Sequence, residues 1–138
     1  MELWFTERHT PSVKFSIKVD RQLYSAQSEF QRIDVFASKE FGRFLTLDGY
    51  MMLTERDEFI YHEMMVHVPM AVHPAAKRVL IIGAGDGGVV RELTRYHQIE
   101  HIDWWKSTSW WWRYAKNTCP RRPAAWTTSG FTFTMRTA

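Results

Sequence analysis

The sequence predicts an α/β protein in which a small N-terminal antiparallel β domain precedes the start of a parallel, nucleotide-binding type of domain, which is truncated. Three observations predict this order. Apolar and polar residues alternate over residues 12–53, a short apolar run at residues 79–82 leads into a glycine-rich loop, and the composition changes abruptly after Asp103. The length of 138 residues allows roughly one domain.

The first domain is predicted from period-two alternation. The segment "VKFSIKVD" from Val13 has apolar residues at every second position, and "FQRIDVFA" from Phe30 repeats the pattern. Between two apolar runs, Asp48-Gly49 supplies the positive φ angles of a tight hairpin turn. We therefore expect antiparallel strands in a β domain over residues 1–53, which needs a partner surface because so small a sheet seldom folds alone.

A helix is predicted next. Thr54, with Asp57 three residues later, resembles a capping signal, and Pro69 should bend or end the helix that follows. The segment also contains His62 and His67, which are five residues apart. Because zinc-binding helices place their histidines four residues apart, on one face, this spacing favours ordinary helix residues over a zinc site.

A glycine loop follows the apolar run. Residues 79–82 read as a buried parallel strand, and Gly83, Gly85 and Gly88 then form a G-x-G-x-x-G pattern before a helix predicted over residues 88–96. Strand, glycine loop and helix are the context in which a nucleotide phosphate binds. Taken alone, the loop suggests NAD.

Asp86 argues against a dinucleotide. It lies inside the loop, where its carboxylate would compete with a pyrophosphate for the same backbone amides. An acid at this position suits a ligand that is cationic near the loop, such as an adenosyl sulfonium compound or a polyamine. The alternative is that Asp86 only caps the following helix.

Four segments carry a family resemblance: "SEFQRIDVF", "GRFLTLDGYMMLTERDEFIYHEM", "HVPMAVHP" and "KRVLIIGAGDGGVVRELTRY". They closely resemble the spermidine synthases, the polyamine aminopropyltransferases of bacteria, and the likeness runs from about Trp4 to Asp103. It implies a Rossmann-like domain of the methyltransferase type after the β domain. It also implies aminopropyl transfer from decarboxylated S-adenosylmethionine to putrescine, which gives spermidine and methylthioadenosine.

The same resemblance implies the site residues. It implies that Gln31, Gly83 and Gly85 bind the donor and its nucleoside. It also implies that Tyr61, His62 and Asp86 bind the polyamine. It implies decarboxylated S-adenosylmethionine as co-substrate, no permanently bound cofactor and no metal, and a homo-oligomer, either dimer or tetramer. The sequence departs from the family at Ala84, where a third glycine is common, so its methyl group is a candidate to crowd the ligand.

The residues after Asp103 differ in composition from those before it. Residues 104–138 carry a charge of +6, against −3 for residues 1–103, and contain no Leu, Ile or Val. The excess of basic over acidic residues therefore lies in this tail, and we expect no nucleic-acid partner for the whole protein. With no export signal or long apolar run, and with only Cys119 as a thiol, the sequence predicts a cytoplasmic protein without a membrane partner.

The tail is interpreted as a frameshift product. Five tryptophans stand within residues 104–112, and the tryptophan codon TGG, read one base out of frame, encodes Val in a run. Shifted by one base, the codons can read M-V-E-I-D-E-L-V-V-E, which continues the preceding strand with apolar residues and an acid. In the chain as given, Lys106 replaces the ribose-binding glutamate that the resemblance implies, and the general base lies in a part that is lacking.

This interpretation sets the expected organisation: the start of the Rossmann-like domain over residues 54–103 and an out-of-frame tail over residues 104–138 that has no packed core. Its tryptophans receive no role, and the short chain is expected to be inactive. The alternative is a non-enzymatic binding fragment whose Trp-rich basic tail binds a membrane surface or nucleic acid.

Overall fold

The computed structural model describes residues 2–106 and 132–137, and the chain divides into two compact units, Met1–Glu58 and Phe59–Ala138. The first unit is all-β, as predicted for residues 1–53. It contains an antiparallel pair, β1–β2, and a four-stranded antiparallel sheet in the order β3-β4-β5-β6. The strands are β1 Leu3–Thr10, β2 Val13–Val19, β3 Arg21–Gln27, β4 Arg32–Ser38, β5 Gly42–Leu47 and β6 Tyr50–Thr54.

The core of the first unit is aromatic. Phe44 is 1% exposed and packs with Ile17 and Val19 of β2. The ring of Phe36 stacks on Phe44 with centroids 5.3 Å apart, and the ring of Phe5 lies 5.5 Å from it. These contacts join the two-stranded pair to the larger sheet, which supplies the partner surface that the small sheet requires.

The predicted hairpin turn is confirmed. Asp48 has φ +51° and Gly49 has φ +84°, and they connect β5 to β6 so that Leu47 pairs with Tyr50. The alternation of β2 is only partly reflected in burial. Ile17 and Val19 are each 4% exposed, whereas the earlier apolar positions of this strand lie at the surface.

The second unit is a parallel sheet with helices, and its strands lie in the order β7-β8-β9. Its elements are α1 Glu58–Val72, β7 Arg78–Ile82, α2 Gly88–Leu93, β8 His101–Lys106 and β9 Thr132–Thr137. The predicted parallel strand at residues 79–82 is confirmed. The predicted helix 88–96 is too long, because the N–H groups of Arg95 and Tyr96 bond three residues back, to Glu92 and Leu93, as in a tightened turn.

The boundaries of α1 differ from the prediction. Thr54 ends β6 and donates its hydroxyl to the carboxylate of Asp57 at 2.5 Å, so it does not cap the helix, which begins at Glu58. Pro69 does not end the helix, which continues to Val72. The missing proline N–H removes one backbone bond, and burial of Met70 (5% exposed) in the core favours continuing the last turn.

The expectation that residues 104–138 lack a packed core is wrong at Trp104. This residue lies within β8, is 0% exposed and packs in the same cluster as Val66, Val90 and Ile102. The reason is register, since Ile102 and Trp104 alternate onto the same face of a strand that pairs with β7. A change of composition after Asp103 does not alter this alternation. Residues 107–131, which include most of the tryptophan cluster, lie outside the described residues.

Among the residues that the structure describes, no helix is long and apolar enough to cross a membrane.

Candidate functional site

The centre of the candidate site is a histidine–aspartate pair in the second unit. His62 Nε2 lies 2.6 Å from Asp86 Oδ2, and the two side chains are 2% and 12% exposed. α1 positions His62, because its buried face consists of residues four apart, His62, Val66 and Met70. The loop between β7 and α2 positions Asp86. The sequence placed both residues at the polyamine side, and the structure brings their side chains together.

The glycine loop turns in the left-handed region. Gly83, Ala84 and Gly87 have φ of +87°, +46° and +84°. Gly83 N–H donates to the carbonyl of Trp105 at 2.8 Å, and the indole N–H of Trp104 donates to the Gly83 carbonyl at 2.7 Å. Among the described residues, a β-carbon added at Gly83 would meet no atom within 4 Å, so the loop is open at this position. β8 therefore fixes the backbone of a loop that leaves room for a ligand at Gly83.

Ala84 adopts a conformation that suits glycine better. Its φ of +46° costs an L-residue roughly 1–2 kcal/mol. Its methyl group packs partly against the core of the second unit, which offsets some of that cost. Because the Ala84 methyl group packs against the core, the expectation that it crowds a bound ligand is not favoured.

Gly88 allows the close approach of α2 to His62. A β-carbon at this position would overlap the imidazole ring, with Cε1, Nδ1 and Cγ all inside contact distance. From the sequence, Gly88 was identified only as the last glycine of a nucleotide-binding pattern, and this contact with His62 was missed. The signal was the third glycine of the pattern, which serves close packing rather than ligand binding.

The alternative role of Asp86, a helix cap, is not favoured by the geometry. The residue at the N-cap position of α2 is Gly87, and no side-chain hydrogen bond caps this helix within the described loop. The Asp86 carboxylate instead faces His62. When neutral His62 donates its Nε2–H, Asp86 keeps its negative charge and can accept a further hydrogen bond from an ammonium group.

Tyr61 lies beside His62 in the second unit, and Gln31 lies in the first unit. Tyr61 is 62% exposed on α1, with its ring edge-on to that of His62 at 5.4 Å between centroids. Gln31 belongs to the first unit, where it closes a turn with Ser28: Gln31 N–H donates to Ser28 Oγ at 3.0 Å, and Ser28 N–H donates to the Gln31 carbonyl at 2.9 Å. Its role toward the nucleoside stays a prediction, as do the roles of Gly83 and Gly85.

His67 belongs to a different cluster from His62. Its Nδ1 lies 2.7 Å from the Tyr96 hydroxyl, and its Nε2 lies 3.4 Å from Glu92. Potential ligand atoms of Glu63, His67 and Glu92 lie within 4.8 Å of one another. However, both oxygens of Glu92 already accept hydrogen bonds from arginines, with Arg91 and Arg95 at 2.8 and 2.7 Å. The cluster is therefore a charge-balanced network that joins α1 to α2.

This network predicts acid sensitivity. Burial alone would raise the pKa of the Glu92 carboxyl, but the hydrogen bonds from Arg95 and Arg91 lower its pKa below the ordinary value. A lowered pKa in the folded state stabilises the protein above the unfolded-state pKa of about 4.3, and this contribution disappears as the pH falls through the folded-state value. Glu92→Gln weakens the charge-assisted hydrogen bonds from Arg91 and Arg95, so it should lower the free energy of unfolding near pH 7. The loss should be only about 1 kcal/mol, because Arg95 is largely exposed and solvent screens its charge.

The check is urea unfolding of wild type and Glu92→Gln between about pH 7 and pH 3. The difference between them should shrink as the pH falls below about 4. A difference that stays constant over this range would show that the carboxylate charge does not stabilise the fold. Glu100→Gln is the control, because Glu100 forms an ion pair with Lys77 in which both side chains are exposed.

Comparison with known families covers both units. The model of the spermidine synthase tetramerisation domain matches residues 3–55, and the model of the spermine/spermidine synthase domain matches residues 58–105. The polyamine aminopropyltransferase of Alkaliphilus oremlandii is 74% identical over 103 residues, which is 75% of this chain and 36% of that relative. The polyamine aminopropyltransferase of Clostridium perfringens is 73% identical over the same length. The chain thus spans about a third of the length of these curated relatives.

Solved structures agree with the sequence comparison. The spermidine synthase of Thermotoga maritima superposes with a TM-score of 0.87 at 37% identity, over 97% of this chain and 47% of that chain. A spermidine synthase in complex with the transition state analogue AdoDATO also superposes with a TM-score of 0.87, over 98% of this chain and 48% of that chain. Both units, the glycine loop and the relatives lead to the same assignment: this chain belongs to the spermidine synthase family.

Proposed function

We propose that this chain supplies the polyamine-binding wall of a polyamine aminopropyltransferase, which moves an aminopropyl group from decarboxylated S-adenosylmethionine to putrescine and releases spermidine and methylthioadenosine. The observation that carries the proposal is the position of Asp86, a carboxylate in the glycine loop held 2.6 Å from His62. A carboxylate there repels a pyrophosphate and attracts a cation. The relatives, named as polyamine aminopropyltransferases, support the same chemistry.

The reaction defines what the residues must do. A neutral amine nitrogen attacks the methylene next to the sulfonium, the new C–N bond forms as the C–S bond breaks, and sulfur leaves as a neutral thioether. The nitrogen then loses a proton. Putrescine has two amines, so one can remain an ammonium held by Asp86 while the other attacks. Fixing both reactants in this geometry contributes about 7–11 kcal/mol toward such a barrier.

Each site residue has a role in this proposal. His62 orients the Asp86 carboxylate, and Tyr61 offers an aromatic surface beside it to the methylenes of the diamine. Gly83 and Gly85 let the donor approach the loop backbone, and Gln31 contacts the nucleoside. The donor is a co-substrate, so the site needs no permanently bound cofactor.

The chain of 138 residues is proposed to be inactive by itself. Position 106, in β8, is a lysine where the resemblance implies a ribose-binding glutamate. Lysine has no acceptor atom for the ribose hydroxyls. The curated relatives match this chain over 103 residues, which are only 36% of the relative from Alkaliphilus oremlandii. The resemblance implies that the family's general base belongs to the part of the enzyme that this chain lacks.

The test is a product assay on two proteins, the 138-residue chain and a frame-restored protein in which one base is added near codon 103. With putrescine and decarboxylated S-adenosylmethionine, the frame-restored protein should form spermidine, whereas the short chain should form none. Mass spectrometry identifies the product and verifies that the short-chain sample contains no full-length enzyme. Spermidine formed by the short chain would contradict the proposed inactivity. A frame-restored protein that folds but forms no spermidine would contradict the proposed function.

Assembly and location are proposals of the same kind. The first unit matches a tetramerisation domain, which supports a homo-oligomer, and we propose a dimer or tetramer for the frame-restored protein. A cytoplasmic location stays a prediction. The alternative function, a fragment that binds a membrane or nucleic acid through its Trp-rich tail, depends mainly on residues 107–131, which the structure does not describe.

A further inference from the structure

Gln31 lies in the turn between β3 and β4, where hydrogen bonds to a serine side chain hold its backbone. Gln31 N–H donates to Ser28 Oγ at 3.0 Å, and the Ser28 hydroxyl donates to the Gln31 carbonyl at 2.8 Å. These bonds hold the turn from its N-terminal side. Arg32, the next residue, begins β4. Whatever holds the backbone of Arg32 therefore limits the movement of Gln31 from the other side.

A side chain from the turn between β5 and β6 holds Arg32. Ile33 and Leu47 are paired across β4 and β5, so Arg32 and Asp48 occupy the next two opposite positions. Asp48 N–H donates to the Arg32 carbonyl at 2.9 Å, as in an ordinary antiparallel ladder. The return bond differs, because Arg32 N–H donates at 2.8 Å to Asp48 Oδ1, an oxygen of the side chain. The Asp48 carboxylate thus completes the last pair of this ladder.

The backbone conformation of Asp48 explains why its side chain is needed. Its φ is +51°, because the chain already turns toward β6 at this residue. The turn takes the Asp48 carbonyl out of the ladder, and the carboxylate supplies the acceptor for Arg32 N–H instead. Position 48 must therefore combine a positive φ with a side-chain acceptor. Asp and Asn meet both conditions, whereas glycine adopts positive φ but has no side-chain acceptor.

We propose that Asp48 is a positioning residue for Gln31: it acts through the backbone of Arg32 and so places Gln31 for contact with the nucleoside of the aminopropyl donor. This inference rests on the proposed function, in which Gln31 makes that contact. Without the bond from Arg32 N–H to Asp48, Arg32 can move away from β5 and take Gln31 with it. A misplaced binding group binds its ligand less well. Because Arg32 and Asp48 are exposed, water replaces part of the lost bond, and the effect should be moderate.

Steady-state kinetics of the frame-restored protein test this role. Asp48→Gly keeps the turn conformation and removes the acceptor, so it should raise the KM for decarboxylated S-adenosylmethionine by about threefold to tenfold. The KM for putrescine should stay unchanged, because polyamine binding is assigned to other residues. Asp48→Asn should give a donor KM close to that of wild type, since its amide oxygen can accept the same bond. A loss of folded protein would instead lower kcat and leave both KM values unchanged.

A second substitution shows whether Asp48 acts through Gln31. Gln31→Ala should raise the donor KM, and in that background Asp48→Gly should cause no further increase, because the side chain that it positions is gone. An unchanged donor KM in Gln31→Ala would contradict the proposed role of Gln31, and this inference with it. A raised donor KM in Gln31→Ala with an unchanged one in Asp48→Gly would overturn the positioning role of Asp48 alone. So would an Asp48→Asn variant as impaired as Asp48→Gly, since the charge and not the bond would then matter.

Amide hydrogen exchange in the 138-residue chain gives a readout that is independent of activity. The Arg32 amide should exchange about tenfold faster in Asp48→Gly than in wild type, whereas Asp48→Asn should keep its protection. Asp20→Gly is the matched control, because Asp20 is also exposed and its N–H bonds the Ala37 carbonyl, near the end of β4 remote from Arg32. It should change neither the Arg32 exchange rate nor the donor KM. Equal exchange of the Arg32 amide in wild type and Asp48→Gly would overturn the proposal.

Discussion

Replacing Asp86 with asparagine in the frame-restored protein is expected to raise the KM for putrescine by roughly 10- to 150-fold. This range corresponds to the loss of one charge-assisted hydrogen bond, about 1.5–3 kcal/mol. Asparagine has nearly the same shape and can still accept a hydrogen bond from His62 through its amide oxygen, so the loop should keep its conformation. The negative charge beside the glycine loop is what the substitution removes.

Steady-state kinetics with varied putrescine and saturating donor measure this effect. Glu100→Gln serves as the matched control, because Glu100 is an exposed carboxylate just before β8, at the end of the strand remote from the glycine loop. It should leave the KM unchanged. If Asp86→Asn binds putrescine as well as wild type does, Asp86 is not the ammonium-binding group and the charge argument fails.

Gly88→Ala is expected to destabilise the second unit by about 1–3 kcal/mol, because the added methyl group overlaps the imidazole of His62. His62 is almost fully buried, so its ring must move and the contact with Asp86 must weaken. In an unobstructed helix the same substitution would be favourable by up to about 1 kcal/mol. Whether Gly88→Ala destabilises or stabilises the protein therefore depends on the imidazole ring of His62.

A double-mutant cycle isolates this clash. Urea unfolding of the 138-residue chain gives the free-energy change of Gly88→Ala in wild type and in a His62→Ala background. With the imidazole removed, Gly88→Ala should become neutral or stabilising. An equal loss in both backgrounds would show that the glycine is needed for its backbone and not for its contact with His62.

Local features of this fold were predictable from the sequence, because they depend on neighbouring residues. The Asp48-Gly49 turn follows from two residues that tolerate positive φ, and the strand at residues 79–82 follows from an uninterrupted apolar run. The prediction that Thr54 caps the helix was wrong. The Thr54 hydroxyl donates to Asp57, but Thr54 is the last residue of β6 and the helix begins only at Glu58. A helix boundary depends on where the preceding strand ends, which the local pattern does not contain.

The parts of the site that depend on tertiary contacts were not predictable in the same way. Asp86 was singled out by its charge inside the loop, but its pairing with His62 joins residues 24 positions apart through the packing of α1 on the loop. The contact between Gly88 and His62 has the same origin. Trp104 was excluded from the core on the composition of the tail, whereas its position in β8 directs it inward, where its indole N–H also bonds Gly83.

The central claim is that residues 1–103 are the first part of a polyamine aminopropyltransferase and that the reading frame changes after Asp103. Sequencing the gene across codon 103 and beyond codon 138 tests it most directly. With one base restored, we expect an open frame that begins Met-Val-Glu-Ile-Asp, or a close variant, and continues to about the full length of the relatives, with further acidic residues. Stop codons soon after the restored base, or a frame without similarity to those relatives, would contradict the account.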